Sequence, residues 1–311
     1  MNSELSDTTW DVVIVGAGPV GQSLAALIGQ GGNTVLVIDK QKTLYGLPRA
    51  VHYTPDISRL LDQLGLASSV ATFAHEAKVY EWQNAQRETL LQFGPSPRDD
   101  QGWPWSTMFN QPGLERELLR SLGDTPNVSV SWRTEFVGFA RHPQNITVDA
   151  IIDGTPTQLT ASFLVGCDGA NSPVREALGV QVNNLGFFYD WLVVDVVEHE
   201  PRLWEPENLQ VCDPARPTSS VSSGPGKRRL EFMRMEGDPE DFVSEESCWR
   251  LLESWGLTPQ NASLERFALY TFQSRWAADW YDDRIAIAGD AAHQVPPFFG
   301  VGMVSGMRDA T

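Results

Sequence analysis

The sequence predicts an α/β protein in which a parallel-sheet domain is interrupted by a smaller, mainly β second domain. Three observations carry that expectation. Residues 10–15 form an apolar, β-branched run ending in a glycine turn, followed by a helix-compatible stretch at 20–30 and a second apolar run at 34–38. That is the length of one strand–helix–strand crossover. Between roughly residues 178 and 272 the pattern shifts to short strand-like pieces broken by Pro, Ser and Gly. Near Arg284 a buried-strand pattern returns at 285–288 and closes at once in a Gly-Asp turn. The chain therefore leaves the first domain and re-enters it. The expected boundaries are 1–75, 100–180 and 275–311 for the first domain, and 76–99 and 181–274 for the second.

Length and composition agree with two packed domains. The chain has 311 residues, 41% hydrophobic and 20% charged, with 11 Trp and 14 Phe, which is the make-up of a folded globular protein. A net charge of −17 repels phosphate backbones and anionic lipid, so neither nucleic acid nor a membrane surface is an expected partner. Three cysteines, Cys167, Cys212 and Cys248, imply neither a disulfide framework nor a metal site. Residues 1–10 lack a basic and apolar leader, and no run reaches the roughly 18 apolar residues of a membrane span. A cytoplasmic location is expected.

Along the chain, helices are expected near 54–64, with Asp56 in its first turn, and 114–122, and strands near 127–132, 146–152 and 163–167. The second domain offers strands at 191–197, 211–212 and 229–235, a Pro/Ser/Gly break at 214–225, and an acidic helix over 238–255. For the strand at 229–235, periodicity leaves open whether Arg229, Glu231 and Met233 face inward or Leu230, Phe232 and Arg234 do.

Gly16-Ala17-Gly18-Pro19-Val20-Gly21 fits G-x-G-x-x-G between a strand and a helix, the Rossmann-like arrangement. Gly16 permits the tight turn, Gly18 lets a pyrophosphate approach the backbone, and Gly21 lets helix and strand pack closely. Free N–H groups and the positive end of the helix dipole then hold the phosphates. Asp39 closes the second strand eighteen residues after Gly21, where a carboxylate accepts hydrogen bonds from an adenosine ribose. A 2′-phosphate would be repelled there, so FAD or NAD is expected at this turn rather than NADP.

Two later turns decide between them. After the strand ending at Gly166 comes Cys167-Asp168-Gly169-Ala170-Asn171-Ser172-Pro173-Val174-Arg175, and after 285–288 comes Gly289-Asp290-Ala291-Ala292-His293-Gln294-Val295-Pro296-Pro297. Three ligand-facing turns are more than a compact NAD site uses. Together they resemble the class A FAD-dependent aromatic monooxygenases of the para-hydroxybenzoate hydroxylase type. The likeness is greatest to the 3-(3-hydroxyphenyl)propionate hydroxylase group, through Pro48-Arg49-Ala50, Cys212-Asp213-Pro214-Ala215-Arg216-Pro217 and Phe232-Met233.

The resemblance implies FAD as cofactor, NADH or NADPH as electron donor, and O2 and a small phenolic or related aromatic molecule as substrates, with hydroxylation through a flavin C4a-hydroperoxide. It implies that Asp290 holds the ribitol chain and that Arg49 and Gln111 contact the phosphate and ribitol region. Asp168 and Gly169 would lie near the same groove, and Gly300, Gly302 and Met303 would complete the site. Pro296 and Pro297 would form a rigid wall beside the substrate ring, since proline fixes the chain and lacks an N–H. The helix beginning near Gly302 would aim its dipole at the flavin's pyrimidine edge. No protein nucleophile is required, and the catalytic residues stay unassigned beyond Pro296, Pro297 and Arg49 as positioning candidates. A homo-oligomer is compatible with this reading.

Other residues carry plainer readings: His293 as a structural hydrogen-bonder, Cys167 as packing, Arg175 paired with a local acid, and Phe298–Phe299 as pocket wall or core. An FAD oxidase or dehydrogenase on the same fold, or a catalytically weak or silent flavin-binding chain, are the alternative functions. The sequence departs from the family at Val304, where an Asn is usual, which would remove an amide from the turn facing the flavin. It also stops at Thr311, short of the family's usual length, and so reads as a truncated member expected to hold FAD weakly and couple poorly.

Overall fold

The computed structural model describes residues 2–94, 98–186, 188–296 and 300–311. Its first sheet runs in the order Tyr281–Asp282, Ile285–Ile287, Thr155–Gly166, Thr9–Val15, Val35–Asp39, Val128–Trp132. The four pairings that join Ile285–Ile287 through to Val128–Trp132 are all parallel. Two antiparallel strands, Thr134–Arg141 and Ile146–Ile152, extend the long strand Thr155–Gly166 as a meander. Val12 and Ile14 feed one hydrophobic core with Val35 and Val37. Val13 and Val15 feed a second core on the opposite face with Leu36 and Ile38. A strand buried on both faces reads as an unbroken apolar run, which is why residues 10–15 announced themselves.

Helices Pro19–Gln30, Pro55–Gln63 and Gln111–Gly123 cover the first of these cores. The glycine-turn helix starts with proline at its first position and lies very close to the sheet. A Cβ on Gly29 would stand 2.4 Å from Val128 Cγ2.

The second sheet has seven strands in the order Ala262–Phe272, Tyr189–Glu198, Lys227–Met233, Thr218–Ser222, Asn208–Cys212, Tyr80–Asn84, Thr89–Phe93. Leu192, Val194, Leu230 and Phe232 on one face pack under Phe242, Cys248 and Leu252 from the helical cover. The opposite face, bearing Arg229, Glu231 and Met233, turns toward the first domain, which answers the question periodicity left open. All strands of this sheet come from 80–93 and 189–272, and we propose the domain division expected above on that basis.

Two expectations are corrected and one strand is added. The helix expected over 238–255 is a short 3-10 turn, Glu240–Phe242, followed by a helix over Glu245–Glu253 only. Ser244 caps it by accepting from the Ser247 N–H, a local alternative to continuing the helix backward. The stretch 214–225, expected as a break, contains the strand Thr218–Ser222. The eleven-residue strand Ala262–Phe272 was not anticipated at all. Among the described residues, no helix is long and apolar enough to cross a membrane.

Candidate active site

The three turns converge because each packs against the next. Gly16 lies at φ +108°, and a Cβ there would stand 2.3 Å from the Cys167 carbonyl oxygen, so the first and middle turns touch backbone to backbone. A Cβ on Gly21 would meet the Gly16 carbonyl oxygen at 2.0 Å. The late turn joins through Gly289, whose Cβ position is 3.0 Å from Val20 Cγ2. Gly306 closes the contact, its Cβ position falling 2.8 Å from both Gly289 Cα and Val20 Cγ2.

Gly18 differs from Gly16 and Gly21. Nothing lies within 4 Å of its Cβ position, so this glycine opens onto free space at the start of the helix. A pyrophosphate fits such an opening, where helix N–H groups have no acceptor of their own. Asp39 is tied to the turn: its Oδ2 accepts from Ala17 N–H at 2.8 Å and its Oδ1 from Gln41 N–H at 2.8 Å. Each oxygen keeps a further lone pair for ribose hydroxyls.

Arg49 sits on an exposed loop with its guanidinium 5.0 Å from the Tyr45 ring centroid, within electrostatic reach of Asp290. Gln111 has both ends of its side chain engaged inside the protein. Oε1 accepts from Arg49 N–H at 3.1 Å and Ala50 N–H at 2.6 Å, while Nε2 donates to Glu115 at 2.6 Å. Its amide shapes the Arg49 loop, and burial raises the Glu115 carboxyl that receives it. The loop is gripped from the second sheet as well. Arg229, paired bidentately with Asp195 at 2.8 and 3.0 Å, donates to the carbonyls of Pro48, at 2.8 Å, and Arg49. Arg266 donates to the same Pro48 carbonyl.

In the middle turn, Asp168 Oδ2 accepts from Val174 N–H at 3.0 Å, and Oδ1 is buried with no hydrogen-bond partner. Burial raises this carboxyl. Gly169 beside it lies at φ +84° with open space around its Cβ position. Among the described residues, Arg175 makes no ion pair with an acid. It donates to the carbonyls of Ala291 at 2.9 Å and Ala170 at 2.8 Å, tying the middle turn to the late one. Burial raises the Cys167 thiol, which makes it inert packing.

Asp290 meets solvent although protein crowds round it and raises its carboxyl, against the pull of Arg49, His293 and Arg275. His293 is structural: its Nε2 is 2.7 Å from Asp309 Oδ2, which also accepts from Gly289 N–H at 2.8 Å. Pro296 is half-buried, and Pro297, Phe298 and Phe299 lie outside the described residues. Gly300 lies at φ +61° against His52, and Gly302 opens the last helix, with Met303 packed on the core. Val304 is fully buried beside Met307. It does not face the groove, because residues three apart on a helix share a face and this face packs inward.

Sequence reasoning expected a substrate pocket walled partly by the second domain but left its lining residues open. A space of about 400 Å³ opens between Val51, His52 and Gly300 on one side and the second sheet's inner face on the other. Ladder register makes that face continuous: Val193, Glu231, Ser219, Gln210 and Trp82 stand side by side across five strands. Burial keeps the His52 imidazole neutral by lowering its proton affinity. Tyr80, raised to about 12 by burial and the nearby Glu231, also lines the wall.

Residues 9–311 match the family model described as "FAD binding domain". Among curated proteins, the chain is 37% identical over 303 residues to a probable NADH-specific resorcinol 4-hydroxylase of Rhodococcus jostii (strain RHA1), covering 96% of this chain and 57% of the relative. It is 35% identical over 310 residues to a 3-(3-hydroxy-phenyl)propionate/3-hydroxycinnamic acid hydroxylase of Mycobacterium sp. (strain JLS), covering 99% and 54%. The chain thus spans about half the length of these relatives. Among solved structures, p-nitrophenol 4-monooxygenase PnpA from Pseudomonas putida DLL-E4 superposes with TM-score 0.86 at 24% identity, covering 97% of this chain and 78% of that one. Aklavinone-11 hydroxylase, solved with FAD and aklavinone, superposes with TM-score 0.84 at 23% identity, covering 97% and 60%. The fold is the para-hydroxybenzoate hydroxylase type, and the chain belongs to the FAD binding domain family.

Proposed function

We propose that this chain forms the FAD- and substrate-binding part of an aromatic hydroxylase that consumes NAD(P)H and O2 to hydroxylate a small phenol. The observation that carries the reading is the cavity, placed where the late-turn glycine Gly300 meets the inner face of the second sheet. NADH is the donor favoured by the name of the R. jostii relative.

When bound, FAD would supply the redox chemistry for which NAD(P)H and O2 are consumed. The protein's own residues bind, orient and keep water out. In this reading the opening at Gly18 receives the pyrophosphate, Asp39 the adenosine ribose, and Asp290 the ribitol hydroxyls, with Arg49 facing the negative charge. Gln111 acts one step removed, by fixing the backbone at Arg49 and Ala50. Val51, Val79, Met108 and Trp105 line the cavity with apolar surface, which favours transfer to the ring over loss of oxygen as H2O2.

The test is to load the chain with FAD and supply NADH, O2 and a panel of phenols. Phenol-stimulated NADH consumption with hydroxylated product is expected. H2O2 formed at a rate indifferent to phenols would overturn the hydroxylase reading in favour of an oxidase.

A further inference from the structure

We propose that the cavity continues at its mouth into an apolar subsite, formed by Leu91, Phe93 and Trp105, which takes an uncharged alkyl or aryl substituent on the phenol ring. The inference deepens the hydroxylase reading and rests on it.

The lining of the cavity is sorted by polarity along the second sheet. Asn208 and Ser219, both buried, and Glu231 stand on its middle strands. Toward the edge strand Thr89–Phe93 they give way to rings and alkyl groups. Tyr80 and Trp82, which line the cavity, pair in register with Phe93 and Leu91, so all four share one face. Phe93 stacks on Tyr80 with ring centroids 6.3 Å apart. The loop carrying Trp105 is joined to the chain leading into Tyr80 by Ala77 N–H, which donates to the Ser106 carbonyl at 3.0 Å. That bond brings Trp105 toward the same end.

This end is open. Leu91, Phe93 and Trp105 are 43%, 49% and 52% exposed. A single exposed apolar side chain is ordinary, but several bordering one cavity mark a ligand-binding groove. Continuity decides the occupant. Phe93 and Trp105 line the cavity and also stand open to solvent, so a substituent on a ring inside reaches them without a break. Space agrees with this: benzene fits a cavity of about 150 Å³, and this one has about 400 Å³. A ligand with its hydroxyl toward the middle strands and its carbons toward the edge matches both ends.

Binding is measured by calorimetry on the FAD-loaded chain, which needs no turnover, with phenol, 3-ethylphenol, 3-butylphenol and 3-hexylphenol as probes. A methylene taken fully out of water tightens binding roughly fourfold, and roughly twofold when half buried. Across four methylenes, 3-hexylphenol is therefore expected to bind about tenfold or more tightly than 3-ethylphenol, at one site per chain. Leu91→Ser combined with Trp105→Ser should cut that ratio below about threefold. Val137→Ser, at an exposed apolar position on the first sheet, should leave it unchanged. A wild-type ratio below about threefold, or a ratio kept by the doubly substituted chain, would overturn the subsite. Phenol-stimulated NADH consumption would then still uphold the hydroxylase reading. Tighter binding of 6-(3-hydroxyphenyl)hexanoate than of 3-hexylphenol would also overturn it, in favour of charge recognition by Lys78, which lines the cavity and is exposed. Self-association in sedimentation that the double substitution abolishes would assign the surface to a second copy instead. No binding of any probe would overturn both readings. The wild-type chain-length series keeps the proposal falsifiable even if the double variant misfolds.

Discussion

Asp195→Asn probes the grip of the second sheet on the Arg49 loop. Asp195 is 1% exposed in its side chain and Arg229 5%, so the pair is out of water and its two short contacts are charge-assisted. Two such bonds at roughly 1.5–3 kcal/mol each set the upper scale. Breaking a buried pair from one side costs roughly 3–5 kcal/mol, because the remaining charge is stranded. We expect a loss in that range in urea denaturation of the apoprotein followed by tryptophan fluorescence. Replacing both partners, Asp195→Leu with Arg229→Met, removes the stranded charge and should return stability to within about 2 kcal/mol of wild type. The Arg49 carbonyl would still have lost its donor, and FAD should dissociate about tenfold more readily, or about 1.4 kcal/mol. A loss under about 1 kcal/mol for Asp195→Asn, set against that stranded-charge range, would refute the reasoning. So would a double variant that holds FAD as tightly as wild type.

Four further outcomes follow from the same geometry. Gly18→Ala should leave apoprotein stability within about 0.5 kcal/mol of wild type while weakening FAD binding, as seen by titration. Gly21→Ala, whose methyl would collide with the Gly16 carbonyl, should unfold the chain by circular dichroism. Val304→Asn buries an amide in the core and should cost roughly 1–3 kcal/mol by denaturation with no gain in FAD affinity. His293 is held by Asp309, which raises its proton affinity above the ordinary 6.5. Its stabilising contribution is therefore complete below that value and fades as pH rises through the raised folded value. Urea midpoints of wild type and His293→Gln should differ most at acidic pH and converge on the alkaline side; a gap that widened with pH would contradict this.

The parts legible in the sequence are those where one local rule dominates. The glycine turn, its carboxylate and the two later Gly-Asp turns were readable because backbone space and strand ends dictate residue type there, as the contacts at Gly16 and Gly21 show. The strand Ala262–Phe272 was not, since it is half-exposed along most of its length and interrupts its apolar residues with Glu265 and Arg266. Thr218–Ser222 hid for a related reason: its serines sit against polar partners, Ser219 against Glu231, rather than in an apolar core. The role of Gln111 is set by a loop sixty residues upstream, and the burial of Val304 by helices distant in sequence, neither of which local pattern records. Glu231 was visible as one of two candidate faces, but only ladder register showed which one the cavity receives.

The clamp at Arg229 grips main-chain oxygens of Pro48 and Arg49, leaving their side chains out of the bargain. Any residue supplies the same carbonyl, so the loop is free to vary its side chains without loosening the joint. Asp195 and Arg229 need to stay fixed, as does Arg266 on the same Pro48 carbonyl, and the first two stand on adjacent strands in direct register. The side chains at positions 48 and 49 can therefore drift in evolution or be redesigned residue by residue. The hold of the second sheet on the segment leading into Val51 and His52, both of which line the cavity, does not depend on that change.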